Sequence, residues 1–506
     1  MVNLDICKFK GVEFQKDLCL LNQSFPESLY EKLHSENFAV LNKYPKKYCS
    51  RFLFFFILLF AAWIRFSGLE NAEPGADAIG SIRTAELETV SAVLRDVRVS
   101  HQGAAPLDFL ILHWWMKIAG NSNAALQIPS ALWGLLTVLL VFLIGKRFRN
   151  ETVGLWAMFF LALSPFHVYF SQEARYYSLF CFSGIATLWA MLRFADNDDK
   201  TNRILLLIIA TLSFYAHFFT GAILALGFLA IAWTWMRSPE KQRWKRKTIV
   251  FAIIAGAAFI LFSPWFFYKT SAEYQQATQS PGWESIRVAF QTIADFTGTH
   301  YITGKTNPAG FLMGIFLFLT GSFVLFRNRE KGAFLVPGIG FVFIFLYAVS
   351  LAFVYYPTSR QWLFIAPWFA LVMGRGAEAV TSFAVKQKRG SGRIPKIALT
   401  FLAAMLFLWG AAEQLIAYRF QPNSFHSLKL LSERLEAPEE TIIAGAGLQP
   451  ENAALRLGYA NEKVEIFNRI LTPYEWLEDW ETTEYPKKRI IFVTAEKDVR
   501  IPDTLK

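Results

Sequence analysis

Long apolar runs alternate with short polar loops over most of this chain. Each run has roughly 17 to 22 residues, the length at which a helix crosses a hydrocarbon core of about 30 Å. Because a backbone in lipid must satisfy its own hydrogen bonds, we predict that these runs are helices. Clear examples, with their apolar flanks, are 52–64, 132–144, 204–219, 311–326 and 397–408. The pattern therefore predicts an all-α polytopic membrane protein with about eleven transmembrane helices.

The loops between the runs alternate in charge. The basic loops are 146–149, 237–247, 327–331 and 386–396, together with the segment before the first run. The weakly charged or mixed loops are 67–106, 172–177, 215–221, 268–308 and 355–361. Since cytoplasmic loops carry an excess of Lys and Arg, we expect the N-terminus in the cytoplasm. An odd number of spans then places the C-terminus outside a bacterial cytoplasmic (inner) membrane.

Three segments follow from this topology. Residues 1–51 form a cytoplasmic N-terminal segment, 52–418 a transmembrane domain, and 419–506 a small extracytoplasmic α/β domain. In the last segment we predict a helix at 424–435 and strands at 441–446 and 489–494. The first outward loop, 67–107, is much longer than most connections, and loops of this length usually have a function. Its stretch 77–99 has the pattern of an amphipathic helix on the bilayer surface.

Composition narrows the function classes. Of the 506 residues, 54% are hydrophobic, and the net charge is +11. Basic residues gather in alternate loops, so the charge reflects membrane topology and gives no support for nucleic-acid binding. The sequence has no phosphate-binding Gly-rich loop of the Walker type, which argues against a nucleotide-driven pump, and it has no HExxH motif of the kind that binds zinc in metalloproteases. The outward loops contain no cysteine, so we expect no disulfide framework.

Several charged side chains stand at predicted outward ends of helices, where charge is costly unless it is paired or used. Glu173 and Arg175 lie in SPFHVYFSQEARYYS, and Arg360 lies in YYPTSRQWLFIAP. An arginine suits an anionic ligand such as a phosphate. The alternatives are an interfacial ion pair anchored by Tyr176 and its neighbour Tyr177, and lipid snorkelling for Arg360.

A histidine and several acids are further candidates. His217, in FYAHFFTG, either packs among aromatic rings or hydrogen-bonds a phosphate or sugar. Asp77, in GADAIGS, either acts as a general base for a hydroxyl or favours the dipole at a helix start. The acids that compete with Asp77 for the base role are Glu73, Glu86, Glu88 and Asp108.

Together these motifs resemble glycosyltransferase family 39 and its bacterial relatives, which include protein O-mannosyltransferases and the lipid A aminoarabinose transferase. The resemblance covers roughly residues 50 to 380 and is carried by their order and spacing. Besides the segments quoted above, it rests on APLDFLILHWWMKIAGNSNAALQIPSALWGLLTVLLVFLIGKRF. The sequence departs from the family at Ala78, where a Glu is usual, at Ala105 and at Gln127.

The resemblance implies a C-type fold and a sugar donor on a polyprenyl phosphate. It implies inverting transfer on the outer face of the membrane to a glycan, lipid or protein acceptor. Asp77 would be the catalytic base, and Arg175 and Arg360 would bind the donor phosphate. The supporting residues are Glu173, Tyr176, His217 and Arg83. No cofactor is required by the motifs, and a divalent cation stays open. The alternatives are a transporter or flippase of lipid-linked sugars, and a non-catalytic scaffold of the same fold.

Overall fold

The computed structural model describes residues 46–70, 74, 76–101, 104–270, 283–298, 307–352, 359–386, 405–412, 415–416, 441–446, 465–467 and 489–494. The chain divides into two compact units, Met1–Phe56 and Ile57–Lys506. In the first unit the description begins at Lys46, with the start of helix α1. The candidate site described below belongs to the second unit.

The described part of the chain is mostly helical. Its helices are α1 Lys46–Phe66, α2 Ala76–Glu86, α3 Val90–Ser100, α4 Leu107–Ala119, α5 Asn123–Phe148, α6 Glu151–Ala162, α7 Pro165–Phe170, α8 Tyr177–Asp196, α9 Lys200–Ala216, α10 Thr220–Arg237, α11 Lys241–Thr270, α12 Trp283–Phe296, α13 Pro308–Arg327, α14 Leu335–Ala352 and α15 Ala366–Lys386. Two 3-10 helices, Lys331–Phe334 and Ser359–Ile365, precede α14 and α15. Residues 405–412 are also helical.

Six segments among the described residues are long and apolar enough to cross a membrane. They are Asn123–Phe148, Tyr177–Asp196, Thr220–Arg237, Lys241–Thr270, Pro308–Arg327 and Ser359–Ser382. Shorter apolar helices lie at Glu151–Ala162 and Lys331–Phe345. The chain is therefore a multi-pass membrane protein, and the total of about eleven spans stays a prediction.

Polar residues between the apolar runs explain where the helices begin. The side chain of Ser122 accepts a hydrogen bond from the backbone N–H of Ala125 at the start of α5. Asn150 and Asp199 do the same for α6 and α9. Such caps satisfy backbone donors that the first helical turn leaves unpaired, so short polar loops suffice to separate the apolar helices.

Glycines allow α13 and α15 to approach closely. A Cβ atom on Gly376 would collide with the carbonyl oxygen of Leu317, and one on Gly321 would collide with that of Val372. In membrane proteins, where lipid is as apolar as the helices, such close backbone approach supplies the van der Waals contact that holds helices together. Helix α15 also packs on α6, which packs on α5.

Helix ends predicted to lie on the same side of the membrane contact one another. Asp196, at the end of α8, accepts hydrogen bonds from Arg147 at 3.0 Å and Lys331 at 2.9 Å. Lys269 lies at the C-terminal end of α11, which is predicted to face outward, and it donates to the carbonyl oxygen of His101 at 2.6 Å. The structure thus brings the basic loops 146–149 and 327–331 together at the end of α8, although which side of the membrane they face stays a prediction.

The first outward loop contains more helices than the sequence pattern predicted. The stretch 77–99 forms two helices, α2 and α3, and not one. The break lies at residues 87–89, where the side chain of Thr89 accepts a hydrogen bond from the backbone N–H of Ala92 and so starts a new helix. A Thr side chain that bonds the local backbone competes with helix continuation. Helix α12, in the loop 268–308, was not predicted.

Three parallel strands lie near the C-terminus. They are β1 Thr441–Ala446, β2 Glu465–Phe467 and β3 Arg489–Thr494, in the order β2-β1-β3. Ile443 of β1 pairs with Ile466 of β2 and Ile491 of β3. Strands β1 and β3 occupy the ranges predicted from the sequence. The predicted helix at 424–435 lies outside the described residues, so the α/β domain stays a prediction.

Candidate functional site

The loop that carries Arg175 follows a short helix with clear local causes. Ser164 caps α7 through a hydrogen bond from the backbone N–H of His167, and Pro165 occupies the first turn. Proline is favoured there because its missing N–H has no helical partner. The chain leaves α7 at Phe170, and residues 171–176 form the loop before α8.

This loop is fastened to the end of α1 by two buried polar side chains. Gln172 donates from Nε2 to the carbonyl oxygens of Arg65 at 2.9 Å and Ile64 at 3.2 Å. Arg65 donates to the carbonyl oxygen of Ala162 at 3.1 Å, and its Nη2 lies 2.9 Å from Nδ1 of His167. Since hydrogen bonds to buried charged groups are among the stronger ones, the clamp fixes the loop relative to three helices.

Arg175 joins this loop to α2. Its Nη1 atom donates a hydrogen bond of 2.6 Å to the hydroxyl oxygen of Ser81, which is fully buried. Its guanidinium also lies over the ring of Tyr176, 5.1 Å from the centroid. Asp77 precedes Ser81 by one helical turn in α2. The structure places Asp77 in the first turn of that helix, and its side chain lies outside the described residues.

A small apolar cluster holds α2, α4, α5 and the loop together. Its members are Ala78, Ile82, Ala85, Leu112, Met116, Leu126 and Ala174. Ala174 directly precedes Arg175, and Ala78 directly follows Asp77. Small side chains at these positions allow the elements to pack closely. The cluster therefore sets the distance between the helix with the predicted base and the predicted phosphate-binding loop.

Arg360 reaches the same place from a distant part of the chain. The centroids of Tyr176 and Tyr177 are 4.5 Å apart, and Arg360 lies over the Tyr177 ring at 5.8 Å from its centroid. Arg175 and Arg360 therefore each lie over one of two adjacent aromatic rings. Cations favour aromatic faces by about 0.5–2 kcal/mol, so the pair can orient both guanidinium groups.

His217 completes this group as a packed residue. Its ring stacks on Phe180 at 4.5 Å and lies 5.5 Å from Tyr176. The backbone N–H of Phe219 donates to its Nδ1 atom at 3.2 Å. The His217 side chain is buried where α9 and α10 meet, because these two helices are joined almost without a loop. This geometry favours the packing interpretation, and a contact with the donor stays a prediction.

The other predicted residues are more dispersed. Glu173 is half-buried, whereas Arg83, Glu86 and Glu88 are exposed on or after α2. Glu73 is not among the described residues. The last of the four acids that compete with Asp77 is Asp108, which lies in the first turn of α4 with 6% of its surface exposed.

Asp108 was only a competing candidate in the sequence, yet in the structure it is a buried acid with a raised pKa. Burial raises its pKa to about 7, and the charge of Arg175 limits the rise. The available signal was its position in LDFLILHWWMKIA, where it stands one residue into an otherwise apolar turn. A buried carboxyl group with a pKa near 7 is characteristic of functional sites.

Metal binding would require a cluster of side chains that could hold the ion. Within the described ranges, no group of three His, Cys, Asp or Glu side chains is arranged to hold a metal ion. Use of a divalent cation stays the open possibility that it was in the sequence.

Comparison with known families supports the sequence motifs. The model of the family "Dolichyl-phosphate-mannose-protein mannosyltransferase" matches residues 103–268. The chain resembles this mannosyltransferase family. The match confirms the resemblance drawn from the motifs and includes Asp108, Arg175 and His217. Asp77 and Arg360 lie outside the matched range. No curated protein sequence matches the chain.

Solved structures establish the fold. An ArnT from Cupriavidus metallidurans in the apo state has 12% identity and a TM-score of 0.53, and the alignment covers 79% of this chain and 84% of that one. The same protein bound to undecaprenyl phosphate has 12% identity and a TM-score of 0.51, with 81% and 88% covered. The oligosaccharyltransferase of Archaeoglobus fulgidus has 12% identity and a TM-score of 0.54, with 85% of this chain and 65% of that chain covered. The chain therefore has the fold of the C-type membrane glycosyltransferases, and family and fold together indicate a glycosyltransferase-type enzyme.

Proposed function

We propose that this protein transfers a sugar from a polyprenyl phosphate donor to an acceptor on the outer face of a bacterial cytoplasmic membrane. Asp77 acts as the general base, and the anomeric centre is inverted. The observation that carries the proposal is the convergence of Arg175 and Arg360 on the adjacent rings of Tyr176 and Tyr177. Arg175 is in turn bonded to the helix that contains Asp77.

The two arginines suit the chemistry of the leaving group. As the glycosidic bond breaks, negative charge grows on the polyprenyl phosphate. Guanidinium groups held beside it, next to lipid and aromatic rings, stabilise that charge more than they would in water. The planar fork of arginine also matches two phosphate oxygens at once. No nucleotide is needed, because the lipid phosphate itself leaves.

The base works from the opposite side of the reacting carbon. Asp77 accepts the proton of the acceptor hydroxyl while the hydroxyl oxygen attacks the anomeric carbon, and attack opposite the phosphate gives inversion. Helix α2 holds Asp77 one turn from Ser81, which fixes the helix against Arg175. Donor and base are thereby held in one frame, which lowers the entropic cost of reaching the reacting geometry.

An apolar groove next to this site has the character that a polyprenyl chain needs. It has a volume of about 480 Å³ between α9, α10 and α11. Phe214, Phe218, Leu224, Phe228, Phe259 and Phe266 are among the residues that line it. Phe218 stacks on His217 at 4.8 Å, so the groove begins beside the aromatic group of the site. A structure of ArnT holds undecaprenyl phosphate, and one of the archaeal oligosaccharyltransferase AglB holds a dolichol-phosphate.

The test is mass spectrometry of polyprenyl-linked sugars and surface glycans in a deletion strain. We expect one polyprenyl phosphosugar to accumulate and one sugar to disappear from a surface glycan, lipid or protein. The wild-type gene should restore both, and a gene encoding Arg175→Ala should not. Unchanged lipids and glycans would contradict the proposal. Accumulation confined to the inner leaflet would identify a flippase instead.

Metal dependence is decided by the same assay in membranes. The archaeal oligosaccharyltransferase has a structure in complex with Zn and sulfate. Transfer that stops with EDTA and returns with a divalent cation would assign a metal to this chain, and transfer unaffected by EDTA would exclude a loosely bound one.

A further inference from the structure

Asp108 is a buried carboxyl group to which the proposed mechanism assigns no role. It stands at the second position of α4, and only 6% of its surface is exposed. No hydrogen bond to its carboxylate from another described residue is present. A buried carboxylate without donors is costly when ionised, so its charge depends strongly on nearby cations.

The cation whose charge acts on Asp108 is Arg175. Asp108 precedes Leu112 by one helical turn, and Leu112 packs in the same cluster as Ala174. This places Asp108 on the face of α4 that meets α2 and the Arg175 loop. Consistent with that position, the charge of Arg175 acts on Asp108 and partly offsets the effect of burial, which raises its pKa to about 7.

We propose that Asp108 is a positioning residue that competes with the donor phosphate for Arg175, so that donor binding takes up a proton. The inference rests on the proposed function, because it requires the phosphate to bind at Arg175. In the free protein the ionised carboxylate attracts the guanidinium. When the phosphate occupies the guanidinium, Asp108 becomes protonated, and its charge no longer competes with the donor for Arg175.

The direction of the pH dependence follows from linkage. A phosphate at Arg175 adds negative charge and engages the cation that favours the carboxylate, so the pKa of Asp108 rises on binding. Donor affinity is therefore highest below about pH 7 and falls as the pH rises through the free-state pKa of about 7. For a single proton the decrease is at most about tenfold per pH unit.

Other ionisable groups near α4 must be separated from this effect. The charged and titratable groups on the helices packed against α4 are Asp77, Arg83 and Glu86 on α2, Arg95, Asp96 and Arg98 on α3, Lys146 and Arg147 on α5, and Lys200, Arg203 and Tyr215 on α9. Helix α4 itself carries His113 and Lys117. His101 stacks on Phe109, the neighbour of Asp108, at 4.7 Å. Histidine is the side chain that most often changes charge near neutral pH, so His101 and His113 are the control positions.

The experiment measures binding of a polyprenyl methyl phosphate to the purified full-length protein in detergent from pH 6 to 9. A phosphodiester is chosen because a phosphate monoester itself titrates near pH 6. We expect wild-type affinity to fall about tenfold or more between pH 6.5 and 8.5. Asp108→Asn, which cannot ionise, should bind at all pH values about as tightly as the wild type does at pH 6.5. His101→Gln and His113→Gln should keep the wild-type slope.

A second measurement needs no variant. Calorimetry of wild-type binding at pH 7.5 in two buffers of different ionisation enthalpy should show net proton uptake. If Asp108→Asn does not fold, the absence of uptake overturns the proposal. If it folds and keeps the wild-type slope, the proposal is also overturned while phosphate binding stands. If the wild type does not bind the diester at any pH, the proposed function itself fails.

Discussion

Arg175 donates a hydrogen bond of 2.6 Å to the buried hydroxyl of Ser81, and this contact joins the loop 171–176 to helix α2 beside the apolar cluster that also holds them together. The two residues are far apart in the sequence, and neither motif on its own predicts the other. Because Ser81 follows Asp77 by one helical turn, the contact also sets the position of the proposed base relative to the proposed phosphate ligand.

Ser81→Ala removes the acceptor and leaves the arginine in place. A hydrogen bond to a charged group contributes about 1.5–3 kcal/mol, so we expect donor affinity to fall about tenfold or more. Arg175→Ala should lose more, because the charge is lost as well. Binding of a polyprenyl methyl phosphate measures both. The matched control is Ser183→Ala, since Ser183 is also buried and its hydroxyl donates within α8 to the carbonyl oxygen of Phe180. Equal affinities of the Ser81→Ala and Ser183→Ala variants would refute the positioning role.

Arg360→Ala should also weaken donor binding, and Arg360→Lys should restore it only in part because lysine lacks the planar fork. The chain offers a control of matched geometry. Arg327 lies over Phe323 at 5.8 Å from the ring centroid, the same distance as Arg360 from Tyr177, but at the opposite, predicted cytoplasmic side. Arg327→Ala should leave donor affinity unchanged. A loss of the same size in both alanine variants would point to a general effect on stability.

Asp77→Asn should abolish transfer while donor binding and folding survive. The amide keeps the size of the side chain but removes its basicity, and loss of a general base typically costs about 10²- to 10⁴-fold in rate. The measurement is the rate of sugar transfer in membranes together with the binding assay. Glu73→Gln and Glu86→Gln are the comparisons. Near-normal transfer in Asp77→Asn with loss in either Glu variant would move the base to that residue, and normal transfer in all three would reject an acid–base mechanism in this loop.

Gly376→Ala should destabilise the protein strongly, because its Cβ would collide with the backbone of α13 at Leu317. Two backbones would have to separate, and the loss of packing in a well-packed interface typically costs about 1–3 kcal/mol or more. Gly256→Ala is the control, since nothing lies within 4 Å of a Cβ atom there. Alanine favours a helix over glycine by about 1 kcal/mol, so this variant should be neutral or more stable. Thermal unfolding in detergent compares them, and equal melting temperatures would contradict the close approach.

The topology is tested with reporter fusions. Fusions after Arg149 and Lys388 should report a cytoplasmic location, and a fusion after Asn423 an external one, because basic and weakly charged loops alternate. A cytoplasmic result at Asn423 would contradict the predicted odd number of spans.

Parts of the fold and site could be read from local patterns. Long apolar stretches predicted membrane helices, and the ranges of β1 and β3 were predicted from their apolar residues. The single helix predicted at 77–99 was wrong, since Thr89 caps a second helix there. One hydrogen bond from a capping side chain can end one helix and start another, and the spacing of apolar residues does not predict it.

The sequence alone determined that the chain is polytopic and which charged residues stand at helix ends, and it predicts which loops share a side. These properties depend on the transfer of short segments between water and lipid, so the residues of each segment are enough to predict its place in the membrane. Only the tertiary structure brought Arg175 to Ser81, set Arg360 and Arg175 on adjacent tyrosines, and buried Asp108 where the charge of Arg175 acts on it. Those relationships depend on how apolar helices pack against one another, through small residues such as Ala174 and Gly376, and many residues with the same hydropathy would produce the same spans without producing this site.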